Sequence, residues 1–171
     1  IGTLSSSDSG EVKIDGVRTD KLGDRELSHF RNNRIGFVFQ FHHLLPEFDA
    51  FENVCMPGYI GGRDRSAVES RASELIEMLG RTPRIVHNPV QLCGGAQQRR
   101  AIARALITSP AVLLADEPSG NLDSRNREEI HRLFFDLSDR LGQTVVIVTH
   151  DESLAGMSDR KIVMSDGNII A

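Results

Sequence analysis

The chain has no tryptophan, a single tyrosine and only two cysteines, Cys55 and Cys93. Two cysteines make neither a metal-binding spacing nor a disulfide framework, which fits a reducing compartment. Long hydrophobic runs are also missing. The longest, residues 111–115 and 145–148, are strand-sized, far short of the ~20 residues needed to cross a bilayer. Any membrane role is therefore expected to pass through a partner. A basic surplus is absent too: the net charge is -4, so no nucleic-acid partner is expected. No signal-peptide pattern is visible in the opening residues. Its first residue is Ile1 rather than methionine, so a fragment or a processed product is expected. What is present is a globular composition, 39% hydrophobic and 26% charged over 171 residues. That length accommodates one domain with a sizeable core.

The order of patterns along the chain implies an α/β domain. Residues 11–14 alternate polar and apolar before Asp15-Gly16, which reads as a strand entering a hairpin. Residues 34–39 (RIGFVF) form a β-rich run ending at Gln40. Val68, Ala72, Leu75, Ile76 and Leu79 recur at helical spacing, with Gly80 as a stop. A second helix is expected over residues 95–107, with Ile102, Ala105 and Leu106 inward and its arginines outward. Pro110 ends it. Residues 111–115 (AVLLA) and 144–149 (TVVIVT) are unbroken apolar runs, as expected of strands buried on both faces of a parallel sheet. They should be adjacent, with the helix over 125–141 between them. Residues 160–164 and 168–170 read as a terminal hairpin. Strands alternating with helices give an α/β core at 1–39 and 108–171. The mostly helical stretch 40–107 reads as an inserted subdomain.

Four segments point to chemistry. Asp116 and Glu117 directly follow a buried run, at the strand end where open α/β sheets place ligands. Asp116 suits Mg²⁺, which favours one or two carboxylates with water and phosphate oxygens. Glu117 suits the polarisation of a water attacking a γ-phosphate. Two solvated acids at a strand end would look the same in isolation. Residues 92–99 (LCGGAQQR) place Gly94 and Gly95 at a helix start, which suits a phosphate or serves as a simple cap. Residues 119–123 (SGNLD) follow the acid pair, and His150 follows the second strand, positioned either to bond a terminal phosphate or merely to sit at the surface.

In this order the four segments resemble the ATP-binding subunits of ABC transporters, over essentially the whole chain. The resemblance implies a P-loop NTPase fold with a RecA-like core. It makes Gln40 the Q-loop glutamine, a nucleotide and Mg²⁺ contact. It makes residues 92–99 the signature, with Cys93, Gly94, Gly95 and Gln97 facing nucleotide. Asp116 and Glu117 become the metal-holding acid and the catalytic glutamate of the Walker B segment, Asp123 the D-loop aspartate and His150 the switch histidine. It also implies that two copies sandwich two ATP molecules head to tail.

Residues 37–48 (FVFQFHHLLPEF) and 50–56 (AFENVCM) are similar to the lipoprotein-releasing subfamily within a group that includes macrolide-efflux and cell-division ATPases. This implies membrane-spanning permease partners, a lipoprotein substrate reached through them, and a place on the cytoplasmic face of the bacterial inner membrane. Phe41, Phe48 and Phe51 are candidate anchors for a permease helix. His42 and His43 are adjacent, a poor spacing for chelation, so they read as packing or partner-facing residues. A regulatory ATPase of the cell-division or efflux type and a non-catalytic truncated chain stay open as alternatives.

The sequence departs from the family in three places. The phosphate-holding GxxxxGK[ST] loop has no match: the glycines at 58, 61 and 62 are not followed by Gly-Lys-Ser/Thr. An N-terminally truncated fold is therefore expected, inactive as it stands, with the strand that precedes that loop missing from beside residues 111–115. Cys93 replaces a serine with a weaker donor, and Ala96 replaces a polar residue.

Overall fold

A computed structural model describes residues 1–80 and 94–170. It opens with a small hairpin, β1 (Lys13–Ile14) paired antiparallel with β2 (Val17–Arg18). Asp15 and Gly16 both take positive φ at the turn (49° and 76°), the backbone that matches strand twist in two-residue hairpins. Helix α1 (Asp24–Arg34) follows, begun by the Gly23 N–H donating to Glu26 Oε2, and runs directly into β3 (Ile35–Phe39). Helices α2 (Ala50–Ile60), α3 (Arg65–Leu79) and α4 (Gly94–Leu106) come next. Asp49 and Glu52 cap α2 reciprocally, and Asp64 caps α3. Then come β4 (Val112–Asp116), α5 (Ser124–Leu141) and β5 (Thr144–Val148). A short α6 (Glu152–Gly156) and the hairpin β6 (Met164–Ser165) with β7 (Asn168–Ile169) close the described residues.

The site rests on the central sheet. Its strands are all parallel and ordered β3-β4-β5. The register aligns Phe39 with Asp116 and Asp116 with Val148. The residues that follow the strands, Gln40, Glu117 and Thr149, thus emerge together at the carboxyl end of the sheet.

The main core lies between this sheet and its helices. Leu113 and Ala115 pack with Ile102 and Leu106 of α4 and with Ile130, Phe134 and Leu137 of α5, all buried. Helix α4 crosses β3 at Gly36, where a Cβ would stand 2.6 Å from the Ala105 carbonyl oxygen; only glycine permits that approach. A second cluster, Ile14, Phe30, Ile35 and Val112, fills the space beneath α1 and the first hairpin.

The structure bears out the adjacent parallel pairing of β4 and β5 and corrects three finer expectations. Thr144–Val148 is not buried on both faces; its residues alternate between exposed and half-buried, because Val145 and Ile147 pack against the main core while the opposite face, residues 144, 146 and 148, has no comparable cover among the described residues. The arginines of α4 do not all face solvent. Arg100 is buried, and Arg99 and Arg104 bond to neighbouring elements, because α4 is enclosed by α2, α3, α5 and β3. Finally, β4 already has β3 and β5 on its two sides. A further strand has no room beside residues 111–115 and can join only at an outer edge of β3 or β5.

Candidate functional site

The acid pair sits where β4 gives way to a tight turn. Asp116, the last strand residue, is exposed, and its side chain makes no hydrogen bond or ion pair among the described residues. Glu117 takes a left-handed backbone, φ 43°, a strained choice for a side-chain-bearing residue that persists only where its surroundings enforce it. They do so here: the Glu117 N–H donates to the Val148 carbonyl at 2.9 Å, and the Gly120 N–H donates to the Glu117 carbonyl at 3.1 Å.

That turn aims the Glu117 carboxylate at the end of β5. Its Oε1 accepts from the His150 backbone N–H at 2.8 Å and from His150 Nδ1 at 2.7 Å; its Oε2 accepts from the Thr149 hydroxyl at 3.2 Å. A carboxylate only accepts, so His150 Nδ1 must carry the proton. The ring itself is 85% exposed, against 23% for the Glu117 side chain. Two residues far apart in sequence are thus one hydrogen-bonded unit, half-buried acid and exposed imidazole. Thr149 belongs to this unit too; in sequence it reads only as the end of an apolar run.

Gln40, one residue past β3, lies across the turn after Glu117. Its Nε2 donates to Asn121 Oδ1 at 3.1 Å, and a Cβ at Gly120 would press on that amide at 2.9 Å. Its Oε1 makes no hydrogen bond among the described residues. Gln40 and Asp116 are therefore two oxygen donors on neighbouring strand ends. Asp123 caps α5, accepting from the Asn126 backbone N–H at 3.0 Å and from Asn126 Nδ2 at 2.6 Å. The backbone N–H first, then the side-chain amide, hold this carboxyl below its usual range. Gly94 and Gly95 open α4 as expected. Gln97 lines a shallow cleft with Gln40, His42 and Asn121. Cys93 lies outside the described residues.

The segment after Gln40 shows a second arrangement absent from the linear reading. His42 Nδ1 bonds the fully buried Gln98 side chain of α4. Arg104 donates to the His43 and His42 carbonyls at 2.6 and 2.9 Å. His43 sets its ring edge against Phe39 at 5.3 Å. Burial pushes the His42 imidazole below its ordinary value. Held this way from beneath, the segment exposes Phe41 (65%), Leu45 (43%) and Phe48 (38%), while Phe51 packs against the core. Also unforeseen is a buried bond between Ser119 Oγ and His131 Nε2, 2.8 Å. No local pattern marks it, since its partners lie on different elements.

An ABC transporter family model matches residues 1–120. The chain is 57% identical to the lipoprotein-releasing system ATP-binding protein LolD of Bacteroides fragilis (strain YCH46), over 99% of the chain and 79% of that protein. It is 50% identical to the LolD protein of Geobacter metallireducens (strain ATCC 53774 / DSM 7210 / GS-15), over 100% of the chain and 76% of that protein. Among solved structures it matches a dimeric post-hydrolysis state of the ATP-binding cassette MJ0796 bound to ADP and Pi. The TM-score is 0.87 at 42% identity, covering 99% of this chain and 75% of that one.

Proposed function

Since this chain belongs to the ABC transporter family, with the fold of its ATP-hydrolysing subunits, we propose that it powers lipoprotein release from the bacterial inner membrane. It would act from the cytoplasmic face through membrane-spanning permease subunits. No helix among the described residues is long and apolar enough to cross a membrane. The observation that carries the reading is the identity to lipoprotein-releasing ATP-binding proteins over 99% of the chain. The exposed aromatic segment 41–48 supports it as the permease dock, since buried aromatic anchors dominate interfaces. Residues 1–39 and 108–171 serve as the nucleotide-facing core in this reading, and 40–107 as the helical subdomain that meets the permease.

At the site, Glu117 acts on the attacking water. Oε1 is saturated by two bonds from His150, while Oε2 accepts only one and keeps capacity for a water proton. His150 holds the acid in place and presents Nε2 outward. A neutral ring that donates Nδ1–H offers only an acceptor at Nε2; donation to a phosphate there requires the imidazolium or release of Glu117. Asp116 and the side-chain Oε1 of Gln40 fit Mg²⁺, a cation that takes few protein oxygens and retains water and phosphate ligands. Bound there, Mg²⁺ would neutralise charge on the β- and γ-phosphates. The dimeric MJ0796 cassettes support a sandwich of two copies. In it, Gly94, Gly95, Gln97 and Asp123 of one copy, with Cys93 beside them, face the nucleotide held by the other.

The test is reconstitution of the complete gene product with lipoprotein-releasing permease subunits in proteoliposomes loaded with a lipid-anchored protein. ATP-dependent transfer of that protein to a soluble acceptor is expected. ATP turnover by the assembled complex with no transfer would point to a regulatory ATPase and refute the transport role.

A further inference from the structure

The starts of α4 and α5 meet at one point. Gly95 is buried there, and a Cβ built on it would lie 2.2 Å from Asn126 Oδ1, 2.7 Å from Asn126 Cγ and 3.2 Å from Asn126 Cβ. A long flexible side chain would swing aside, but Asn126 is not free to do so. Its Nδ2 donates to Asp123 Oδ2 at 2.6 Å, and its backbone N–H donates to Asp123 Oδ1 at 3.0 Å. Rotating the amide away breaks a charge-assisted bond. Moving its Cβ means moving the first turn of α5. Gly94 adds a contact of the same kind, its own would-be Cβ standing 3.2 Å from Leu122 Cδ2. Further along, Arg99 Nη2 and Glu129 Oε2 close an ion pair at 2.5 Å that ties the same two helices.

We propose that Asn126 is a positioning residue: it sets the spacing between the glycine start of α4 and the loop that ends at Asp123, so that the two move as one body. Gly95 is then glycine because of a neighbour within its own chain. The functional consequence rests on the reading that both edges face the second copy's nucleotide; the packing argument does not. A rigid pair presents its groups to that nucleotide at one separation, and misplacement of a positioning contact costs rate without touching the reacting atoms.

The experiment compares Gly95→Ala, Asn126→Ala and the double variant in the complete gene product. Thermal unfolding without nucleotide is read first. Gly95→Ala should lower the midpoint by several degrees, and the double variant should regain most of that loss, because only the 3.2 Å contact remains. In ATP turnover Gly95→Ala should lose about tenfold or more, and the double variant should recover to within about threefold of Asn126→Ala. Effects that simply add, in midpoint or in turnover, overturn the proposal. A Gly95→Ala variant that is destabilised yet hydrolyses ATP at the parent rate refutes instead the nucleotide-facing reading of α4. Should Gly95→Ala fail to fold, Asn126→Ala alone decides: amide exchange should speed up in the first turns of α4 and α5 together. Unchanged protection in either counts against the coupling.

Discussion

β4 and β5 are neighbours in register, and each is dominated by a four-residue apolar run, VLLA within VLLAD and VVIV within TVVIV. Their environments nevertheless differ. Leu113 in β4 is fully buried, while Val146 and Val148 in β5 are 38% and 63% exposed. β4 is flanked on both sides and covered by α4 and α5; β5 has a paired strand on one side only among the described residues. Apolar content measures what a strand tolerates burying, and the neighbours decide what it does bury. The chemistry divides along the same line. The enclosed strand delivers Glu117 in a constrained backbone, and the open strand delivers His150 as an exposed ring, with two hydrogen bonds to one carboxylate oxygen joining them.

The strongest way to test that division is to change each end in turn. Glu117→Gln should lower ATP turnover in the complete protein by about 10³-fold, since an amide cannot take the proton. ATP binding should persist, and the nucleotide-bound dimer should accumulate. His150→Ala should cost less, roughly 10²-fold, because it removes an orienting and phosphate-facing contact and leaves the acid. Single-turnover phosphate release measures both. If His150→Ala proved the more damaging, the roles assigned to the two strand ends would have to be exchanged.

Burial makes the next largest difference. Leu113→Ala should destabilise by about 2–5 kcal/mol through lost transfer energy and the cavity left behind. Val146→Ala on the open strand should cost under about 1 kcal/mol. Denaturant midpoints for the two variants check this directly; equal losses would mean that β5 is covered in the working protein.

A smaller effect is expected away from the strands. Phe41→Ala should weaken capture of the permease subunits by roughly tenfold, as for an aromatic anchor at an interface. Coprecipitation with solubilised permease reads this, and undiminished capture would place the dock elsewhere.

The smallest expected effect is a pH dependence at His131. Burial lowers its value from 6.5, partly offset by Asp151 and Glu128 and reinforced by Arg127. The unfolded chain therefore binds the proton more readily, and the stability from the neutral buried ring is complete above 6.5. It falls as pH drops below that value, until the folded ring also protonates. His131→Phe should flatten this shallow acid-side decline in thermal midpoint; an unaltered decline would assign it to another group.

Much of this was legible along the chain. Turn chemistry at Asp15-Gly16 and the stop at Gly80 are local, so the first hairpin and the three helices that the periodicity marks fall within a residue or two of their patterns; the terminal hairpin, expected from residue 160, pairs only Met164–Ser165 with Asn168–Ile169. The placement of Asp116 and Glu117 at a strand end is local too, because a buried run followed by acids has few other solutions. The family resemblance was likewise contained in motifs and their order. Only tertiary structure could decide contacts between separate elements. It paired Glu117 with His150, turned Gln40 onto Asn121, buried Arg100, tied His42 to Gln98 and set Asn126 against Gly95. Each depends on how strands line up and how closely helices approach. Sheet register and close packing fix those distances, and no window of neighbouring residues encodes them.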